Sequence, residues 1–133
     1  MPTFITPVQL SPTYDGNYND VDVSANVPAG ATGIILELYN STIFETNSIG
    51  VRKNGSTDDL PIGLGERTHT WMCIGVDSNR IFEVKVTAAR TIQFWLSGYF
   101  GAEATFFTNS SDSGIASGST WTDVDISSLT GGS

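Results

Sequence analysis

The sequence predicts an all-β protein: an antiparallel β-sandwich of about eight strands with jelly-roll-like, Greek-key connections. Three observations carry this expectation. Chain-breaking residues recur every eight to twelve positions, which leaves little room for helical periodicity. Charged residues make up only 15% of the chain, while Ser, Thr, Asn and 14 Gly separate runs of β-branched and aromatic residues. Within those runs apolar and polar side chains alternate, as they do in strands with one buried face.

The predicted elements begin with TFITPVQL and with YNDVDVSA, where Val21 and Val23 alternate with Asp20 and Asp22. VPAGATG, with its Pro and small residues, reads as a loop crossing between sheets. TGIILELYN sets Ile34, Leu36 and Leu38 on one face and Ile35, Glu37 and Tyr39 on the other. IGVRKN runs into Asn54-Gly55, a pair that tolerates positive φ and suits a tight hairpin turn. THTWMCIGV follows, and VDSNR links it to RIFEVKV, where Phe82, Val84 and Val86 share a face. In TIQFWLSGYF, Ile92, Phe94 and Leu96 are expected to point inward, with Gln93, Trp95, Ser97 and Tyr99 pointing away. The last predicted strand is TWTDVDIS. The chain thus divides into a sandwich module (1–107), a Ser/Gly-rich connector (108–120) and a terminal strand segment (121–133).

Charge and composition narrow the function. With 14 acidic against 6 basic residues the net charge is −8, which repels phosphate backbones and anionic lipid, so neither nucleic acid nor membrane is an expected partner. The N-terminal stretch has no basic segment followed by an apolar one, so no signal peptide is read there. Cys73 is the lone cysteine and, lying in an apolar run, is expected to be a small buried hydrophobe. His69 would sit about 13 Å along the same strand, too far to activate it as a nucleophile. A single His cannot build a His-rich zinc site. Asp20/Asp22 and Asp123/Asp125 form carboxylate pairs that suit Ca²⁺ in principle. Such a site takes six to eight oxygens and no loop has the calcium-hand pattern, and solvated edge positions account for them better. The chain is therefore expected to be no enzyme and to hold no cofactor.

Two features point to contacts with other molecules. The aromatics of GYFGAEATFF (Tyr99, Phe100, Phe106, Phe107) cluster near the end of the module, where an exposed patch would mark an interface. Trp71 and Trp95 could join them in a sugar-stacking platform, although most rings in a small sandwich are core. The second feature is a repeat. Aligning Trp121 with Tyr18 matches Asp123-Val124-Asp125 to Asp20-Val21-Asp22, Ile126 to Val23 and Ser127 to Ser24. A strand-like peptide behind a polar connector can fold onto its own sheet or reach a neighbouring subunit. Trp121, Val124 and Ile126 are its expected anchors.

The segments Val27 to Gly33, Gly50 to Asp58, Trp71, Gly75-Val76-Asp77, Ile81-Phe82-Glu83 and Gly98-Tyr99 resemble β-sandwich modules of tailed-bacteriophage virion proteins. The likeness covers Tyr18 to Phe100. Those modules open with an aromatic-x-Asp-Val-Asp-Val/Ile-Ser strand and occur in tandem, which makes Trp121 to Ser127 similar to the first strand of a second copy. The resemblance implies a structural role in a virion, such as capsid decoration, and assembly as a homo-oligomer (a trimer, for example) with other virion proteins. It also admits a glycan-binding or host-adhesion role in a tail or fibre. A donor-strand-linked surface filament is a third reading.

Overall fold

The computed structural model describes residues 1–42, 47–86, 92–113 and 121–130. Two four-stranded antiparallel sheets face each other, and every regular element among the described residues is a strand. One sheet has the order β1 (Thr3–Leu10), β8 (Ile92–Phe100), β3 (Gly33–Asn40), β6 (His69–Gly75). The other has the order β2 (Asn19–Asp22), β7 (Ile81–Val86), β4 (Asn47–Lys53), β5 (Ile62–Leu64). The pairs are nested: β4 with β5, β3 with β6, β2 with β7 and β1 with β8. The long hairpin so formed is rolled until β8 also meets β3 and β7 also meets β4. That is the jelly-roll topology expected from the sequence.

The alternation in the sequence builds the core. Ile34, Leu36, Leu38, Phe94 and Leu96 from one sheet meet Ile49, Phe82, Val84 and Val86 from the other, all fully buried. A polar group closes one end of this interior. Asn40, wholly buried, donates from Nδ2 to the Leu64 and Gly65 carbonyls, both at 3.0 Å, and accepts from the Thr42 N–H at 3.1 Å. It thereby ties the end of β3, in one sheet, to β5, in the other.

Four expectations need correction. The eighth strand is β5, not the terminal peptide: residues 121–126 join no ladder, and residues 121–130 are all exposed. β5 escapes the sequence reading because three residues are too few to show an alternation. Asn54-Gly55 does make a turn, with Gly55 at φ 83° and the Ser56 N–H donating to the Lys53 carbonyl. The hairpin around it is long, however, since β5 begins only at Ile62. Cys73 is exposed, because β6 is an edge strand that turns Met72 and Ile74 toward the core and Cys73 away from it. Finally, a bulge at Ser97 shifts the register from Ile35↔Gly98 to Leu36↔Leu96. The extra residue reverses the side-chain phase, so Tyr99 packs against the core instead of facing outward. The start of TIQFWLSGYF at Thr91, connector residues 114–120 and residues 131–133 lie outside the described residues.

Candidate interaction surfaces

The aromatic cluster after β8 turns out to be a strap. Gly33 and Gly75 are directly paired across β3 and β6. A side chain on either glycine would overlap Phe106, whose ring lies across the space both leave open. Phe100 meets that ring edge-on, with centroids 5.4 Å apart. The Thr32 hydroxyl lies 2.7 Å from both the Gly101 and Ala104 carbonyls, and Lys53 Nζ donates to the Phe106 carbonyl at 3.1 Å. Beyond it, Asn109 Oδ1 accepts from Ser56 Oγ (3.0 Å) and the Thr57 N–H (2.8 Å), and the Ser110 N–H donates to Asp58. The strap therefore crosses from one sheet to the β4–β5 connection of the other. Of the predicted contact aromatics, Tyr99, Phe100 and Phe106 are partly covered by the module itself, and Phe107 is 55% exposed.

The repeated peptide exists in two environments. In its first copy, Val21 and Val23 are buried and Val21 sits opposite Phe82 in the β7 ladder, while Asp20 and Asp22 face solvent. Tyr18 lies across Gly50, donates to Asp59 at 3.2 Å, and carries the Arg52 guanidinium 3.7 Å from its ring centre. Burial raises the pKa of this phenol, and the hydrogen bond to Asp59 raises it further. The second copy has the same local turn but lies outside both sheets. Asp125 accepts from the Ser127 N–H at 2.8 Å, as Asp22 does from the Ser24 N–H at 2.8 Å. The Ile126 carbonyl accepts from the N–H groups of Leu129 and Thr130, as the Val23 carbonyl does from those of Asn26 and Val27. Yet Trp121 is fully exposed, and Val124 (43%) and Ile126 (48%) stand open to solvent.

Several hydrogen-bonded carboxylates are held below their ordinary pKa. Burial works to raise the pKa of Asp77, but hydrogen bonds from Ile81 N, Asn54 Nδ2 and Asn79 N outweigh it and hold the group below its ordinary value. Asp22 is lowered by the Ser24 N–H, Asp58 by the Ser110 N–H, and Asp59 by the Lys85 ammonium. Groups whose folded pKa is depressed contribute stability that is complete above the unfolded Asp value of about 4 and is lost as pH falls through the folded values. The urea midpoint is thus expected to hold between neutrality and about pH 5, then to fall steeply below about pH 4. Asp77→Asn should flatten part of that fall. A midpoint unchanged down to pH 2 would contradict the assignment.

The outer face of the β1-β8-β3-β6 sheet carries a second surface. The register sets Gln9, Trp95, Glu37 and Trp71 in one row across all four strands, and Gln93, Tyr39 and His69 in the next. Trp71 is 58% exposed. His69 Nδ1 lies 2.8 Å from Glu37 Oε1 and its ring stacks on Tyr39 at 4.1 Å, while Trp95 Nε1 donates to Gln93 Oε1 at 3.1 Å. The sequence separates these residues by up to 86 positions in the ladder Gln9↔Trp95, so only strand pairing reveals the row. Among the described residues no three His, Cys, Asp or Glu side chains converge to hold a metal ion. The chain matches no family model, and it has no match among curated proteins.

Proposed function

We propose that this chain is a non-enzymatic structural protein of a virion, of the capsid-decoration or stabilising type, that assembles through β-sheet contacts between copies. The observation that carries the reading is the exposed peptide Trp121 to Thr130, which repeats β2 in sequence and in turn geometry but, among the described residues, joins neither sheet. Alternating Val124 and Ile126 suit one face of a strand, and extended peptides join open sheet edges through main-chain hydrogen bonds. β1, β6 and β5 offer such edges. β2 is the least suitable, because its outward Asp20 and Asp22 would stand beside Asp123 and Asp125. The virion setting comes from the resemblance of Tyr18 to Phe100 to tailed-phage modules.

Deleting residues 118–133 should leave the sandwich folded and abolish self-association, measured by light scattering across concentrations up to millimolar. Val124→Asp with Ile126→Asp should do the same in the full-length chain. A truncated protein that associates as the full chain does would overturn the reading.

A further inference from the structure

We propose that the outer face of the β1-β8-β3-β6 sheet binds a neutral polysaccharide, with Trp71, Trp95 and Tyr39 as stacking rings and Glu37, Gln93 and Gln9 as hydrogen-bonding groups. The inference stands apart from assembly through the tail and uses none of its residues. Its basis is the register. Trp95 and Trp71 flank Glu37 on the strands either side of β3, so strand spacing sets their backbones about 10 Å apart, close to the length of a disaccharide. A pyranose presents an apolar C–H face and a rim of hydroxyls. A row that alternates ring, carboxylate and ring offers both complements at the sugar's own spacing.

The groups are held before any ligand arrives. Glu37 is fixed against His69, His69 is stacked on Tyr39, and Trp95 is tied to Gln93. Fixing them in advance removes part of the ordering cost of binding. The other end of the same face is closed by Phe106 over Gly33 and Gly75, which confines the open surface to the aromatic half.

The chemistry of the face selects the occupant. A protein partner is disfavoured because charged residues are depleted from the centres of protein interfaces, and here Glu37 stands between the two tryptophans. Nucleic acids and acidic polysaccharides are disfavoured by the same carboxylate and by the net charge of −8. An uncharged glycan meets neither obstacle.

The test is a titration of the full-length chain with hexasaccharides of β-1,4-linked glucose, N-acetylglucosamine and mannose, read by tryptophan fluorescence and by calorimetry. At least one is expected to bind with a dissociation constant at or below the millimolar range. Trp71→Ala should weaken it about tenfold or more, Glu37→Gln should weaken it measurably, and deletion of residues 118–133 should leave it unchanged. Thermal unfolding of the two point variants should match that of the parent, since both side chains lie on the outer face. Absence of binding by all three sugars at millimolar concentration overturns the proposal. So does equal binding by Trp71→Ala, or a self-association of the parent that Trp71→Ala dissolves.

Discussion

Phe82→Ala is expected to lower the unfolding free energy by about 3–5 kcal/mol, the largest effect of any single truncation considered for this chain. Phe82 lies in β7, an inner strand of its sheet, with Val21 of β2 on one side and Lys53 of β4 on the other. Its ring is fully buried against the opposite sheet. Removal forfeits the transfer free energy of the ring and leaves a void. The ladders on both sides hold β7 in place, so the walls cannot collapse inward to fill it. For a domain whose total stability is typically about 5–15 kcal/mol, the melting temperature should drop by roughly 10–20 °C. Phe107→Ala, at an exposed ring of the strap, is the matched control and should change stability by no more than about 0.5 kcal/mol. Urea titration of both variants checks the contrast, and a loss below about 1 kcal/mol for Phe82→Ala would contradict the packing described.

Asn40→Leu is expected to cost about 2–4 kcal/mol, although leucine branches at the same carbon as asparagine and is more apolar. The loss comes from the partners. The Leu64 and Gly65 carbonyls would lose the Asn40 donor, and the Thr42 N–H would lose its acceptor. Each stranded polar group costs about 1–3 kcal/mol, and new apolar contact offsets only part of it. Asn40→Asp should be damaging too, since a carboxylate cannot donate to the two carbonyls. Hydrogen exchange localises the effect: amides of β5 should lose protection before those of β3. Uniform loss across both sheets would argue against Asn40 as the tie between them.

The fold was legible in Ile34 to Leu38 and Phe82 to Val86, because burial of one strand face writes a period of two directly into the sequence. It was illegible at β5, which depends on pairing with Asn47, Ser48 and Ile49 rather than on its own composition. The bulge at Ser97 was hidden for a related reason: an extra residue in one strand is defined by its partner, and it is what turned Tyr99 inward. The terminal repeat could be read as text, and its exposure shows that identical residues do not make a strand without a ladder to join. Trp71 and Trp95 could be named from the sequence as candidate stacking rings, but their meeting with Gln9 and Glu37 in one row could not, since the four come from four strands and meet only through register. Gly33 and Gly75 likewise gave no hint that they clear a place for Phe106.

The nesting of strand pairs also orders events in time. The β4–β5 ladder closes the shortest loop, and each further pair, β3–β6, β2–β7 and β1–β8, encloses the one before it. Loop closure is cheapest for the innermost pair and dearest for the outermost, where Thr3 must find Tyr99. A chain dominated by such distant pairings folds on a scale of milliseconds to seconds. Until β1 arrives, β8 presents an unpaired edge, so the last step of folding is also the interval in which neighbouring chains can compete for it.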